Sequence, residues 1–105
     1  MVIYMIDKAT AIPTLINRLK KLPVGHAIDL RTYKRNRSVV IARTGDDEYE
    51  VVEKGFADER FSTSLGRMKK LLGILLKREF PRSTKIRLYD LGHSDADNHI
   101  NRKKI

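Results

Sequence analysis

Residues 30–41, LRTYKRNRSVVI, decide how this chain folds. Two runs in which apolar and polar residues alternate flank Lys34-Arg35-Asn36-Arg37, a segment with three positive charges in four residues. A period of two belongs to a strand with one buried face, and a polar break between two such runs marks a hairpin. With a two-residue loop at Arg35-Asn36, Leu30 pairs with Ile41 and Thr32 with Val39 on the core face. Arg31 then lies beside Val40, and Tyr33 beside Ser38, on the opposite face. The two strands agree on which face is buried, and a one-residue slip would invert them. Asn36 tolerates the positive φ of a tight turn.

Downstream, a second hairpin runs through Gly45-Asp46-Asp47. A three-residue loop there pairs Ile41 with Val51, Arg43 with Tyr49 and Val40 with Val52, whereas a two-residue loop sets Ile41 against Glu50. Gly55 interrupts the strand, Phe56 anchors the turn, and Arg60-Phe61-Ser62 adds a short edge strand. Upstream, Val2–Ile6 is apolar without alternation, which predicts a strand buried on both faces. Between these strands Ile12, Leu15, Ile16, Leu19 and Leu22 recur at the spacing of one buried helical stripe. Asp7 or Thr10 is its expected cap, Pro13 fits its first turn, and Pro23 and Gly25 stop it.

A second helix opens at Ser62 or Ser64. It buries Leu65, Met68, Leu72, Leu75 and Leu76, widened by Leu71 and Phe80, and ends at Pro81. Lys85–Tyr89 then alternates, with Ile86 and Leu88 inward and Lys85, Arg87 and Tyr89 outward. The order β-α-β-β-β-(β)-α-β defines an α+β fold of two layers, a mostly antiparallel sheet with two amphipathic helices on one face. Residues 1–91 form the single domain, and 92–105, GHSDADNHINRKKI, read as a polar, basic and mobile tail.

A length of 105 residues suits one core. The formal net charge of +9 attracts polyanions and speeds encounter with them. Charge follows a basic–acidic–basic order: about +6 over residues 1–40, −4 over 41–61 and +7 over 62–105, so the surface should be polarised. The acidic block either faces away from a polyanion or pairs with the basic blocks. The absence of cysteine excludes disulfides, zinc–thiolate sites and thiol nucleophiles, and accords with a cytoplasmic setting. MVIYMIDK has no signal-peptide character, and no apolar run approaches the length of a membrane span.

Within this frame the cations of the hairpin are the leading candidates for contact. Lys34, Arg35 and Arg37 suit phosphates, with Arg31 and Arg87 on the outer sheet face beside them. Tyr33 and Tyr89 suit stacking on bases if that face is open. The competing reading is that basic turns guard edges and confer solubility. On the second helix Gly66, Lys70, Gly73 and Lys77 form one stripe opposite the leucines, small and basic enough for a phosphate backbone or a partner helix. His93, Asp95, Asp97 and His99 are ligand types for zinc, nickel or manganese, but ordering a free tail costs entropy, so neither metal nor cofactor is expected. No nucleophile–base arrangement of a hydrolase is present, and Asp29 reads as the ion-pair partner of Arg31. No enzymatic activity is expected.

The wording LRTYKRNRSVVI, with KREFPRSTKIRLYDL after the second helix, resembles small basic proteins of archaeal genomes over most of residues 1–91, a likeness that carries no function with it. The basic β-meander followed by a capped helix is also similar in topology to the whirly-type single-strand DNA binders. The chain departs from that pattern by its leading β-α unit and by the strand after its last helix. The resulting expectation is a non-enzymatic nucleic-acid-binding module, using the basic hairpin and an open sheet face. The alternative is a protein-interaction module, a homodimer with a charge-polarised surface, and Val40 beside Val52 on the outer face suits that alternative.

Overall fold

A computed structural model describes residues 2–32, 37–55, 57–81 and 84–93. Six strands and two helices follow the expected order: β1 (Val2–Asp7), α1 (Ala11–Lys21), β2 (His26–Arg31), β3 (Ser38–Gly45), β4 (Glu48–Lys54), β5 (Asp58–Thr63), α2 (Leu65–Glu79) and β6 (Lys85–His93). The strands make one sheet in the order β1-β6-β2-β3-β4-β5, and every neighbouring pair is antiparallel. The fold is therefore a small α+β fold with an open antiparallel sheet.

Both helices pack on the same side of the sheet. Leu15, Leu19 and Leu22 of the first stripe and Met68, Leu72, Leu75, Leu76 and Phe80 of the second are buried with Ile28, Leu30, Val39, Ile41, Val51, Ile86 and Leu88. Each such aliphatic side chain, fully buried, contributes roughly 1.5–3 kcal/mol. The helical and strand periodicities thus converge on one core. Tyr49 is buried in it, and its hydroxyl donates to the Leu19 carbonyl at 2.9 Å, which ties β4 to the last turn of α1. Burial pushes the Tyr49 phenol above its ordinary value, against the lowering effect of Arg43 beside it.

Two registers differ in how well they match expectation. β3 and β4 pair Ile41 with Val51, Arg43 with Tyr49 and Val40 with Val52, as the sequence predicts, with the strand irregular between Arg43 and Gly45. The β2–β3 register is corrected by two residues: Leu30 faces Val39, Ile28 faces Ile41, Arg31 faces Ser38 and Asp29 faces Val40. The cause is a longer connection, closed where the Thr32 N–H donates to the Arg37 carbonyl at 3.4 Å. An even shift leaves every side chain on its assigned face, which is why the buried set survived the error.

Three further expectations need correction. β1 is not buried on both faces but is an edge strand, paired only with β6 among the described residues. β6 runs on to His93, past the expected end at Tyr89 and across a bulge where Gly92 adopts φ +70°, a conformation that favours glycine. Ser64 occupies the N-cap position of α2 yet makes no side-chain cap bond. The Leu65 N–H donates instead to Asp47 Oδ1 at 2.9 Å, so a carboxylate of the β3–β4 turn caps the helix from outside it. Likewise no side-chain bond from Asp7 or Thr10 caps α1, and Asp7 pairs with Lys85 at 2.5 Å.

The borrowed cap gives a direct test. Asp47→Ala should cost about 1 kcal/mol in urea unfolding, whereas Asp47→Asn, which keeps an acceptor oxygen, should recover most of that loss.

Candidate nucleic-acid interface

Strand parity sorts the cations between two surfaces. On the sheet face away from the helices, Arg31, Lys54, Arg60, Lys85 and Arg87 share the surface with Asp7, Asp29, Glu50 and Asp58. Most of these are matched at short range: Arg31 Nε lies 2.7 Å from Asp29 Oδ2, Lys85 2.5 Å from Asp7 and Arg60 3.4 Å from Glu50. Lys54 is 4.0 Å from Asp58. The expected Asp29–Arg31 ion pair is present, with Asp29 only 1% exposed. The acidic block accordingly neutralises basic residues inside the fold as well as standing apart from them.

The middle of this face is not open. Ala27, Val40 and Ala42 are fully buried and Val52 is 6% exposed, with Leu91 packed against them. Short side chains here are flanked by longer ones on neighbouring strands, among them Arg31, Tyr89 and Arg60. Tyr89 is 9% exposed, its hydroxyl is buried with no hydrogen-bond partner among the described residues, and the Arg31 guanidinium lies 5.8 Å from its ring centre. It therefore offers little ring surface to a base. Arg31 and Arg87 face each other across β2 and β6, so the structure does bring these three candidates together.

Arg37 goes elsewhere. Its Nη1 donates to the carbonyls of Arg78 and Glu79 at 3.4 and 3.3 Å, and its Nε is 3.9 Å from Glu79 Oε1. It thus serves the C-terminus of α2, where a cation is favoured by the helix dipole. Beside it Arg78 makes two hydrogen bonds to Glu53, at 2.8 and 2.5 Å, and both Glu53 and Glu79 are fully buried. Burial alone would raise the Glu53 carboxyl. The hydrogen bonds from Arg78 and Glu79 and the charge of Arg78 outweigh it and hold Glu53 below the usual carboxylate range. Arg78 is raised in turn, chiefly by its hydrogen bond to Glu53. Tyr33, Lys34 and Arg35 lie outside the described residues, as do Asp95, Asp97 and His99 of the tail motif.

The helix layer has a different balance. Lys20 and Lys21 on α1 and Arg67, Lys69, Lys70 and Lys77 on α2 are exposed. None of the six forms an ion pair among the described residues. The only acidic residue of either helix is Glu79, which is buried. Lys20 and Lys69 line one groove of about 360 Å³ between the helices, over Ile12, Pro13 and Ile16, so the positive surface is continuous from α1 to α2. Of the expected glycine–lysine stripe, Lys70 and Lys77 are exposed, but Gly73 is half-buried against α1. A Cβ there would sit 3.9 Å from Ile12 Cδ1, so this part of the stripe is a helix–helix contact. Sequence reasoning undervalued Lys20, Lys21, Arg67 and Lys69, although the absence of acids from both helical segments was a readable signal.

The fold and this charge distribution define a small basic α+β domain. Comparison with known proteins finds no matching family model, no matching curated protein and no matching solved structure. Among the described residues no group of three His, Asp or Glu side chains converges on a metal position, and no helix is long and apolar enough to cross a membrane.

The buried pair makes stability depend on pH with a definite sign. Glu53 is depressed in the folded state, so its contribution is complete above the ordinary carboxylate value of 4.5 and is lost as the pH falls through the folded value below it. Urea midpoints should therefore drop on acidification below that range. Glu53→Gln should be less stable than the parent at neutral pH, and the two curves should converge in acid.

Proposed function

We propose that the protein binds nucleic acid without catalysis, chiefly through phosphate contacts from its helix layer. The observation that carries this reading is the run of six exposed cations on α1 and α2, none of which is in an ion pair among the described residues. A polyanion approaching there displaces counterions and water, with no ion pair of these cations to break. Lys70 and Lys77 stand two helical turns apart, about 10 Å along the axis, a span that suits successive contacts along one backbone. The groove floored by Ile12, Pro13 and Ile16 adds apolar contact between the lysine rims.

In this reading Arg31, Arg87 and Tyr89 are secondary, because Arg31 already has Asp29 as its partner and Tyr89 beside it is almost fully buried. Lys34 and Arg35 of the hairpin extend the basic surface in sequence and belong to the proposal as auxiliary phosphate contacts. A cytoplasmic location accords with a chain that has no cysteine to oxidise.

Binding to short single- and double-stranded DNA and RNA, measured at two or more salt concentrations, tests the proposal. Affinity should fall steeply with salt, and Lys70→Ala with Lys77→Ala should lower the slope of log K against log salt by about 2 on duplex DNA. Arg31→Ala with Arg87→Ala should change it less. Absence of binding at low salt sinks the nucleic-acid reading. A larger loss from the Arg31 and Arg87 variant, or from Arg35→Glu, moves the interface to the sheet or the hairpin.

A further inference from the structure

The two edges of the sheet are built differently. β5 presents Asp58, Glu59 and Arg60, all exposed, and charged side chains of this kind keep an edge from pairing with another chain. β1 reads VIYMID: it holds no lysine, arginine, proline or bulge, and its single charge, Asp7, sits at its end in an ion pair with Lys85. Tyr4 on the helix side is 41% exposed and Met5 on the other side 51%, so the strand shows apolar surface on both faces. Among the described residues its outer edge pairs with nothing. An edge strand with five consecutive apolar residues left in this state is a template for another strand.

We infer that β1 pairs with β1 of a second copy of this chain, antiparallel, across a two-fold axis perpendicular to the sheet. The occupant follows from the chemistry of the edge. A polyanion finds no cation on β1, and a charged peptide finds no counter-charge. A β5 edge would bring Asp58, Glu59 and Arg60 against apolar positions. An apolar strand suits it, and the chain carries one in β1 itself. Because the contact is isologous it closes at two copies and leaves the guarded β5 edges outward, so no filament grows.

Register can be assigned as well. Pairing about this axis keeps each face on its own side, so directly opposed residues share parity. Centred on Tyr4, the pairing sets Tyr4 opposite Tyr4, Ile3 opposite Met5 and Val2 opposite Ile6, and leaves Asp7 outside the apolar ladder. Centred on Met5, it would set Asp7 against Ile3 twice, which is worse. On the helix side the Arg18 guanidinium lies 4.4 Å from the Tyr4 ring centre and 3.7 Å from Asp90, so the cations nearest the axis arrive already paired. The same axis puts both helix layers on one side of a twelve-stranded sheet.

So short a ladder buries a modest area, and the dimer should form over a micromolar range of concentration. Sedimentation of the full chain in about 0.5 M salt, which strips nucleic acid, should show the mass rising toward twice the 12.1 kDa monomer. Tyr4→Lys with Met5→Lys should remain monomeric with unchanged circular dichroism, while Arg60→Ala on the opposite edge should still dimerise. The chain lacks cysteine, so Tyr4→Cys supplies a single thiol. Directly opposed strand residues lie about 4.5–5.5 Å apart, within disulfide reach, and mild oxidation should cross-link this variant far more than Met5→Cys. A parent chain that stays monomeric at about 100 μM, well above a micromolar Kd, overturns the proposal. So does a dimer that survives the double lysine variant, or preferential cross-linking through Met5→Cys.

Discussion

Glu53 and Glu79 are two acidic side chains with no exposed surface, and much of the molecule is arranged around keeping them satisfied. A buried carboxylate costs several kcal/mol in lost hydration unless its partners are close and well aligned. Arg78 supplies two hydrogen bonds to Glu53, Arg37 lies beside Glu79, and the Ala57 N–H donates to Glu79 at 3.4 Å. These residues come from the β2–β3 connection, from β4, from the β4–β5 turn and from the last turn of α2. The cluster therefore joins the hairpin to the helix end, and it removes two arginines from the surface available to a ligand. Replacing such a cluster with apolar residues is often neutral or stabilising, so what it supplies is specificity in which strand end meets which helix end rather than net stability.

The element order and the core were legible because period and parity are strong signals. The leucine stripes of both helices and the alternation around Leu30, Val39 and Ile41 dictate which side chains are buried, and these assignments survive a register error of two. Loop length was not legible: three cations and an asparagine fit a two-residue turn, and the longer closure shows only in the β2–β3 register and the Thr32–Arg37 bond. The edge position of β1 escaped for a different reason. An unbroken apolar run is ambiguous between a central strand and an edge that awaits a partner, and sequence order alone cannot separate them. Asp47 capping α2 from another element was beyond any local rule, since capping motifs consider only neighbours in the chain.

The candidate surface was half legible for an electrostatic reason. Counting cations picks out the hairpin and the sheet strands, where Arg31, Arg37, Arg87 and Tyr89 cluster in sequence with obvious binding chemistry. The fold then places carboxylates within bonding distance of several of them, and the count ceases to measure what is available. Lys70 and Lys77 keep their exposure because no acidic residue shares their helix surface. What matters is therefore the distribution of acids, and in this chain they concentrate in the β3–β4–β5 segment.

A magnitude decides between the two faces. For a phosphate to engage Arg31 fully it must compete with Asp29, 2.7 Å away and 1% exposed, and breaking such a buried pair costs up to about 3–5 kcal/mol. A single charge-assisted hydrogen bond to phosphate returns only about 1.5–3 kcal/mol. The exchange is unfavourable unless the carboxylate becomes protonated. The exposed lysines of the helices face no such loss, because what they release is water and mobile counterions, and release of the counterions is itself the driving force. Electrostatics thus favours the helix layer over the sheet face in the proposed reading, because the sheet cations with carboxylate partners give up more than the exposed lysines do.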